Sequence, residues 1–572
     1  MIYIFIDVII LKYKKFRGFS MKRSKILGIV MAATVTTSLV AGCTKTKTTN
    51  ETSEKVDKSP ITLTMFSKDP KSEYENFESP VAKKIQEKTG VTLKMEFPVG
   101  NLDQKIGLMI ASNELPDLIF SEQSKFIGAG AIIKLDSLIE KYGSNVKNLY
   151  GDYLKRLRYS KEDPSIYFLG VDAVDSQRWE PNMGFELQHS AIKEAGYPSI
   201  KTLEDAEKVI KAYVEKHPTT DGQPTIGLSL IYDDWRWQSG TGNMAAFVSG
   251  RPDDGNWYVD PKTYKATYRF TMDDHKEYFK WLNHMNDIGL LDKDSFVQKY
   301  DQYTAKIASG RVVALNDQLW QYRDAQSALV NDKKYDKTYG TYPVTLNGSI
   351  KNADFTDYGY SVTYGIGISK NCKNPERAMQ FLDWMCTDEA QILNNWGIEG
   401  VNYTVENGKR VLSDEERQKR NTDKEYAKKT GIGVYGYPFP RRGDGVLDPT
   451  GQPYTIKSPD DIVKNYNSAE KEVLSAYGVK MWKDLYPKAT ELNKSQWGQA
   501  WGITVPQDSD LNVTLTKAND IVKTGIAKAV LLKPSEFDAT WNQMQADLKK
   551  IGIEKANEDF TKLLQQRIEL WK

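Results

Sequence analysis

The chain has 572 residues, with 78 Lys/Arg, 76 Asp/Glu and four His, for a formal net charge of +2. Residues 1–42 hold seven of the basic residues and one Asp, so the chain from Cys43 onward carries 71 basic and 75 acidic side chains, net −4. That balance excludes a broadly basic surface for nucleic acid, and the 530 residues exceed what one hydrophobic core supports, so at least two lobes are expected.

The chain opens with MIYIFIDVIILKYKKFRGFS (1–20), a short apolar run with basic flanks. A complete export signal begins only at Met21, so 1–20 read as an extension upstream of the true start. In MKRSKILGIVMAATVTTSLVAGC, a basic start (Lys22, Arg23, Lys25) precedes an apolar stretch that ends in small residues and Cys43. This is the layout of a secretory signal, spanning 21–42. Its core is too short and too rich in Thr and Ser for a membrane-spanning helix, which needs about 20 apolar residues. Residues 43–59 are polar, lack apolar periodicity and read as a flexible tether.

Structure is expected from ITLTMF (61–66), an alternating strand. SPVAKKIQEKTG (79–90) predicts a helix with Ser79 as cap, Pro80 in the first turn and Gly90 as stop. A strand at 91–98, a helix at 103–114, a strand at 115–120 and a closing segment at 131–143 follow. That alternation implies an α/β lobe with a largely parallel sheet. The pattern restarts beyond residue 172. A helix capped at Thr202 (202–218), a strand (225–232), a helix (274–291), a helix running into a strand (294–317), a strand (364–369) and one long helix (374–397) are expected. Two more helical patterns lie around 515–531 and 534–569.

LVAGC (39–43), which resembles a lipoprotein lipobox, the tether, ITLTMFSKDP, GVTLKMEFP, NELPDLIF and ISKNCKNPERAMQFLDWMCTDEAQILNNWGIEGVNY together resemble the family 1 extracellular solute-binding proteins, specifically the LplA/LipO-type lipoproteins of Gram-positive bacteria. The resemblance covers the chain from Met21. It implies an α/β, two-lobed periplasmic-binding-protein-like (type II) fold with a ligand cleft between the lobes and extra C-terminal helices. The lobes are expected at 60–172 with 366–412, and at 173–365 with 413–572. It also implies a substrate-binding subunit of a carbohydrate ABC importer that captures an oligosaccharide by cleft closure and hands it to permease subunits, with no cofactor and as a monomer. Cys43 is the implied lipidation site, holding the protein on the extracellular face of the cell membrane, since acyl chains contribute about 0.8 kcal/mol per buried CH₂. Some relatives carry an EF-hand-like calcium loop; the corresponding HPTTDGQPTIGL (217–228) offers only Asp221 as a carboxylate, so no metal is expected there.

Thirteen Trp and 32 Tyr in a polar chain suit a partner that is both apolar-faced and hydroxylated, as sugars are. DDWRWQSG (233–240) follows an apolar strand, where α/β crevices place ligands. Trp235 and Trp237, two apart, would share one face if extended, while Asp233, Asp234 and Arg236 would bind hydroxyls. The first crossing between lobes offers Asp175, Arg178 and Trp179. The end of strand RVVAL offers Asn316, Asp317, Trp320 and Tyr322, and WGIEGVNY offers Glu399 and Tyr403. Trp257 and Tyr258, in an expected hairpin, and Tyr437 are weaker candidates. For each, a packing or solvated role is the alternative.

GIGVYG (431–436) matches G-x-G-x-x-G, but the prolines of YPFPRR forbid the helix that a phosphate cradle needs. The sequence holds no G-x-S-x-G, H-E-x-x-H or Walker sequence, and the four His are scattered. A non-enzyme is expected. Two alternatives remain open: a glycan-degrading lipoprotein built on a carboxylate pair, and a ligand sensor for a receptor. A Cys372–Cys386 bridge is also left open.

Overall fold

A computed structural model describes residues 57–70, 72–360, 362 and 364–572. The export signal, Cys43 and most of the tether lie outside the described residues. Strands β1 (Ile61–Ser67), β2 (Val91–Glu96), β3 (Leu118–Glu122) and β4 (Phe168–Gly170) belong to one sheet. Strands β5 (Phe185–Gln188), β6 (Ile226–Ser229), β7 (Val312–Leu315) and β8 (Tyr339–Tyr342) build a second, and β9 (Tyr364–Ile368) returns to the first. The orders are β2-β1-β3-β9-β4 and β8-β5-β7-β6.

Period-two alternation buries both faces of the first sheet. Leu63, Met65, Leu118, Phe120 and Leu169 enter one core with the helices Pro80–Thr89 and Pro375–Met385, and Phe66, Ile119 and Phe168 enter another with Leu102–Ser112. In the second sheet, Leu187, Leu228, Val313 and Ala314 face the largest core. Val312 and Leu315 pack instead on the helices Tyr300–Ala308 and Leu319–Asn331. β1 runs parallel to β2 and β3, β9 antiparallel to β3 and β4. β6 and β7 are parallel, with β5 antiparallel to β7. Each sheet therefore has one end where its parallel strands finish and its antiparallel neighbours begin.

The helix over Pro80–Thr89 starts as expected: the Ser79 side chain accepts from the Ala82 amide, and Gly90, at φ 72°, takes the left-handed stop that a Cβ would strain. The single helix expected over 374–397 is two, Pro375–Met385 and Asp388–Trp396. Thr387 adopts extended backbone, and its Oγ1 accepts from the Ala390 amide at 3.2 Å, ending one helix and capping the next. Thr387→Ala is expected to cost about 1 kcal/mol in urea unfolding; an unchanged midpoint would show that the cap contributes nothing. The pattern at 534–569 likewise divides, into Pro534–Lys550 and Ile553–Trp571, at Gly552 with φ 88°.

The chain leaves the first sheet after β4, returns to it at β9, and leaves a last time later than expected. Tyr426, Ile432, Val434, Tyr435 and Phe439, given to the second lobe on sequence, are buried in the first core. The chain next enters the second core at Ile462, and the helices Asp510–Leu531, Pro534–Lys550 and Ile553–Trp571 enlarge it through Val522, Ile526, Trp541 and Phe560. Cys372 and Cys386 are buried free thiols, so the bridge left open by sequence is absent. No described helix is long and apolar enough to cross a membrane.

Candidate functional site

At the end of the second sheet, the chain beyond β6 turns at Asp234 (φ 37°) into a helical turn. This places Trp235 and Trp237 on opposite sides, since residues two apart on a helix diverge. The shared platform expected from an extended segment is thereby overturned. Trp237 is 1% exposed and packs on Tyr232 and Phe270, whereas Trp235 is 55% exposed. The partner of Trp235 is instead Trp320, 43% exposed, with ring centroids 5.9 Å apart and planes 17° from parallel.

Charged groups hold this aromatic pair. The Arg236 guanidinium lies 4.8 Å from the Trp235 centroid and 4.2 Å from that of Tyr300, and it pairs with Asp234. Asp233 takes Lys299 at 2.9 Å, which lowers its carboxyl below the usual range through that hydrogen bond and charge. Trp320 donates its indole N–H to Gln318 Oε1 at 2.6 Å, and the same oxygen accepts from Asn182 Nδ2 at 3.1 Å.

Asn316 and Asp317, expected as ligand contacts at the strand end, are buried beneath this layer. Asn316 Nδ2 donates to the Tyr278 hydroxyl at 2.8 Å. Asp317 Oδ1 accepts from the amide of Gln318 at 2.7 Å and from Gln321 Nε2 at 2.5 Å, and Oδ2 from the Tyr303 hydroxyl at 3.0 Å. Burial pushes the Asp317 carboxyl up to about 7, and the buried Glu186 beside it well above the usual range. They are the support of the aromatic pair. Tyr322 is also buried.

The other candidates are dispersed. Trp179 is buried in the second core. Arg178 ties the first crossing segment to the second, 2.7 Å from the buried Asp354 and over the Phe355 ring at 4.7 Å. Asp175 sits at φ 59° with an exposed side chain 4.0 Å from Arg442. Glu399 is exposed in a turn, and Tyr403 packs edge-on against Trp396 at 5.9 Å. Trp257 and Tyr258 do lie in a hairpin, paired with Tyr268 and Thr267. Asp221 pairs with Lys334 at 3.0 Å, and among the described residues no group of three or more His, Cys, Asp or Glu is placed to hold a metal ion.

The corresponding end of the first sheet carries a cluster that sequence reading missed except for Tyr437. Lys68 and Asp69 follow β1 directly; Lys68 Nζ lies 4.0 Å from the Tyr364 ring centroid and 2.9 Å from Asp69. The Tyr437 hydroxyl donates to Asp69 Oδ2 at 2.9 Å, and its ring meets Phe120 edge-on at 5.2 Å. Nearby Asp172 is pushed up to about 6 by burial, against the pull of Arg441. The signal was SKDP (67–70) right after the first strand, readable by the strand-end logic applied elsewhere.

Two sheets, each presenting a polar and aromatic end, are the architecture of binding proteins that hold small solutes. The chain belongs to the bacterial extracellular solute-binding protein family, whose model matches residues 81–416. Lipoprotein LipO of Bacillus subtilis is 26% identical over 401 residues, covering 66% of this chain and 74% of LipO. The fructooligosaccharide ABC transporter substrate-binding protein FusA of Streptococcus pneumoniae is 24% identical over 363 residues, 59% of this chain and 63% of FusA. Among solved structures, a FusA EF-hand mutant in complex with fructo-nystose superposes with a TM-score of 0.64 at 17% identity, covering 88% of this chain and 99% of that one. An HMO-binding ABC-transporter-associated solute-binding protein from Bifidobacterium longum infantis gives 0.66 at 14% identity, covering 89% and 99%. The type II binding-protein fold expected from the sequence is therefore the fold observed.

Proposed function

We propose that this protein captures an oligosaccharide between its two sheet ends and delivers it to an ABC importer. The observation that carries the reading is the half-exposed Trp235–Trp320 pair, flanked by Arg236, Asp234, Asp233 and Lys299 at a sheet end. Aromatic faces stack on the apolar faces of pyranose or furanose rings, and charged groups form the stronger hydrogen bonds to hydroxyls. Lys68, Asp69, Tyr364 and Tyr437 supply the opposing wall. The lobes join through 171–182, 343–360 and 440–461, with Arg178–Asp354 bracing the first two passes, and hinge closure over the ligand presents the closed form to a permease. The carbohydrate names of FusA and the Bifidobacterium protein support this ligand class. Cys43, after the export signal, is the lipid anchor, and the tether is the leash; LipO's name as a lipoprotein supports that reading. Capture needs no bond to break.

Residues 57–572 contain both sheets and every described core, so the chain from Thr44 onward is the protein to test. Thermal unfolding against a panel of plant and microbial oligosaccharides is expected to show stabilisation by one class, about 2.7 kcal/mol at a hundredfold excess over Kd. Chromatography afterwards is expected to return that glycan intact. Recovery of cleaved glycan would make the protein an enzyme, and no stabilisation across the panel would remove oligosaccharide as the ligand.

A further inference from the structure

A cavity of about 300 Å³ adjoins the end of the first sheet, where Gln123 follows β3 and Val362 precedes β9. One wall comes from the segment after the first core's Leu157, with Val362 of the same core; the other comes from Ile503 and Leu563, which pack on the second core. Four cations line it: Arg156, Arg158, Lys161 and Arg567. Lys161 has Glu569 at 2.7 Å and Arg158 has Asp136 at 3.8 Å. Glu162, the carboxylate in the lining, takes Gln566 at 3.4 Å.

Arg156 and Arg567 have no carboxylate at ion-pair distance among the described residues. Their hydrogen bonds go to main-chain carbonyls: Arg156 to Tyr360 at 2.7 Å and Tyr358 at 3.3 Å, Arg567 to Gln499 at 3.1 Å, Trp497 and Gly502. Asp357, the acid nearest in effect to Arg156, is already paired with Lys494 at 2.9 Å. Both guanidiniums stand over the ring of Trp571, at 4.6 and 4.8 Å from its centroid. Two like charges on one aromatic ring repel each other, and burial with the Arg156 charge pulls Arg567 down to about 9. Planar guanidinium forks match carboxylate and phosphate oxygens, and an anion between them would relieve the repulsion.

We propose that this cavity binds a small oxyanion, a phosphate or carboxylate compound, through Arg156 and Arg567, at the seam between the two cores. Room for a compact body beyond the charged group is given by Leu157, Val362 and Leu563. Its test uses no sugar, so failure of the anion site leaves the oligosaccharide reading standing.

The chain from Thr44 onward is titrated in a calorimeter with inorganic phosphate, glycerol 3-phosphate and succinate, at ionic strength held constant with chloride. At least one is expected to give saturable one-site binding, with the phosphate and carboxylate arms identifying the source of the oxyanion. Arg156→Gln is expected to weaken that binding at least tenfold. Thr504→Trp, which fills the cavity from its exposed rim and leaves both arginines in place, is expected to do the same, and it decides the matter if Arg156→Gln fails to fold. Absence of saturable heat for all three anions overturns the site, as does binding that both variants leave unchanged.

Discussion

Trp235→Ala is expected to raise the Kd for the oligosaccharide found in the thermal panel about 30-fold, a loss of about 2 kcal/mol. The ring is 55% exposed, so truncation removes little packing and should move stability by less than about 0.5 kcal/mol. Trp320→Ala acts at the same place by a second route, since it removes both a stacking face and the ring that backs Trp235 at 5.9 Å. The two rings stack, so their effects are coupled, and the double variant is expected to raise Kd by less than the product of the two single effects. Trp237→Phe is the control. Two residues away in sequence but 1% exposed, it should lower the melting temperature and leave Kd unchanged. Isothermal titration of the four proteins checks this, and an unchanged Kd for Trp235→Ala would remove the aromatic pair from the binding surface.

That contrast also locates what the sequence could and could not convey. Alternation in ITLTMF and the Ser79, Pro80 and Gly90 signals around the first helix are local, and the structure follows them. Thr387 was equally local, a Thr followed by Asp and Glu, but the apolar periodicity running through it on both sides masked the cap. Which of two tryptophans faces solvent depended on whether 233–237 is extended or helical, and the positive φ at Asp234 that turns the chain has no strong signature. The first-sheet cluster is harder still: Asp69 and Tyr437 meet across 368 residues, and Tyr437 arrives there because 426–439, which sequence order assigned to the other lobe, pack into the first core. Trp320 was found by strand-end logic, but its pairing with Trp235 joins the ends of β6 and β7, neighbours only once the sheet exists.

Asp317→Asn is expected to stabilise the protein above pH 7 and to lose that advantage as the pH falls towards 4. Burial raises the Asp317 carboxyl to about 7 in the folded chain, from about 3.9 unfolded. Below pH 4 both states hold the proton, and the group costs folding nothing. Between about 4 and 7 the unfolded chain releases its proton while the folded chain keeps it, so stability declines by about 1.4 kcal/mol per pH unit; above 7 the loss is complete, about 4 kcal/mol in total. Asn cannot titrate. Its oxygen still accepts from the Gln318 amide and Gln321, and its amide nitrogen donates to Tyr303, whose hydroxyl turns to accept. The seat of Gln318, which holds the Trp320 indole, is thereby kept. Urea unfolding at pH 5, 6, 7 and 8 should give a wild-type curve that falls with pH more steeply than the variant's, the difference growing to several kcal/mol and levelling off near 8. Glu186, held well above the usual range by burial and accepting from the Asp317 amide at 3.2 Å, titrates in both proteins; the Asp317 charge also raises it, so removing that charge acts in the same direction as the predicted stabilisation. Parallel curves would mean that Asp317 is ionised in the folded state at every pH tested. A variant less stable than wild type at pH 8 would mean that the charge, held by three donors, is worth more to the fold than its burial costs.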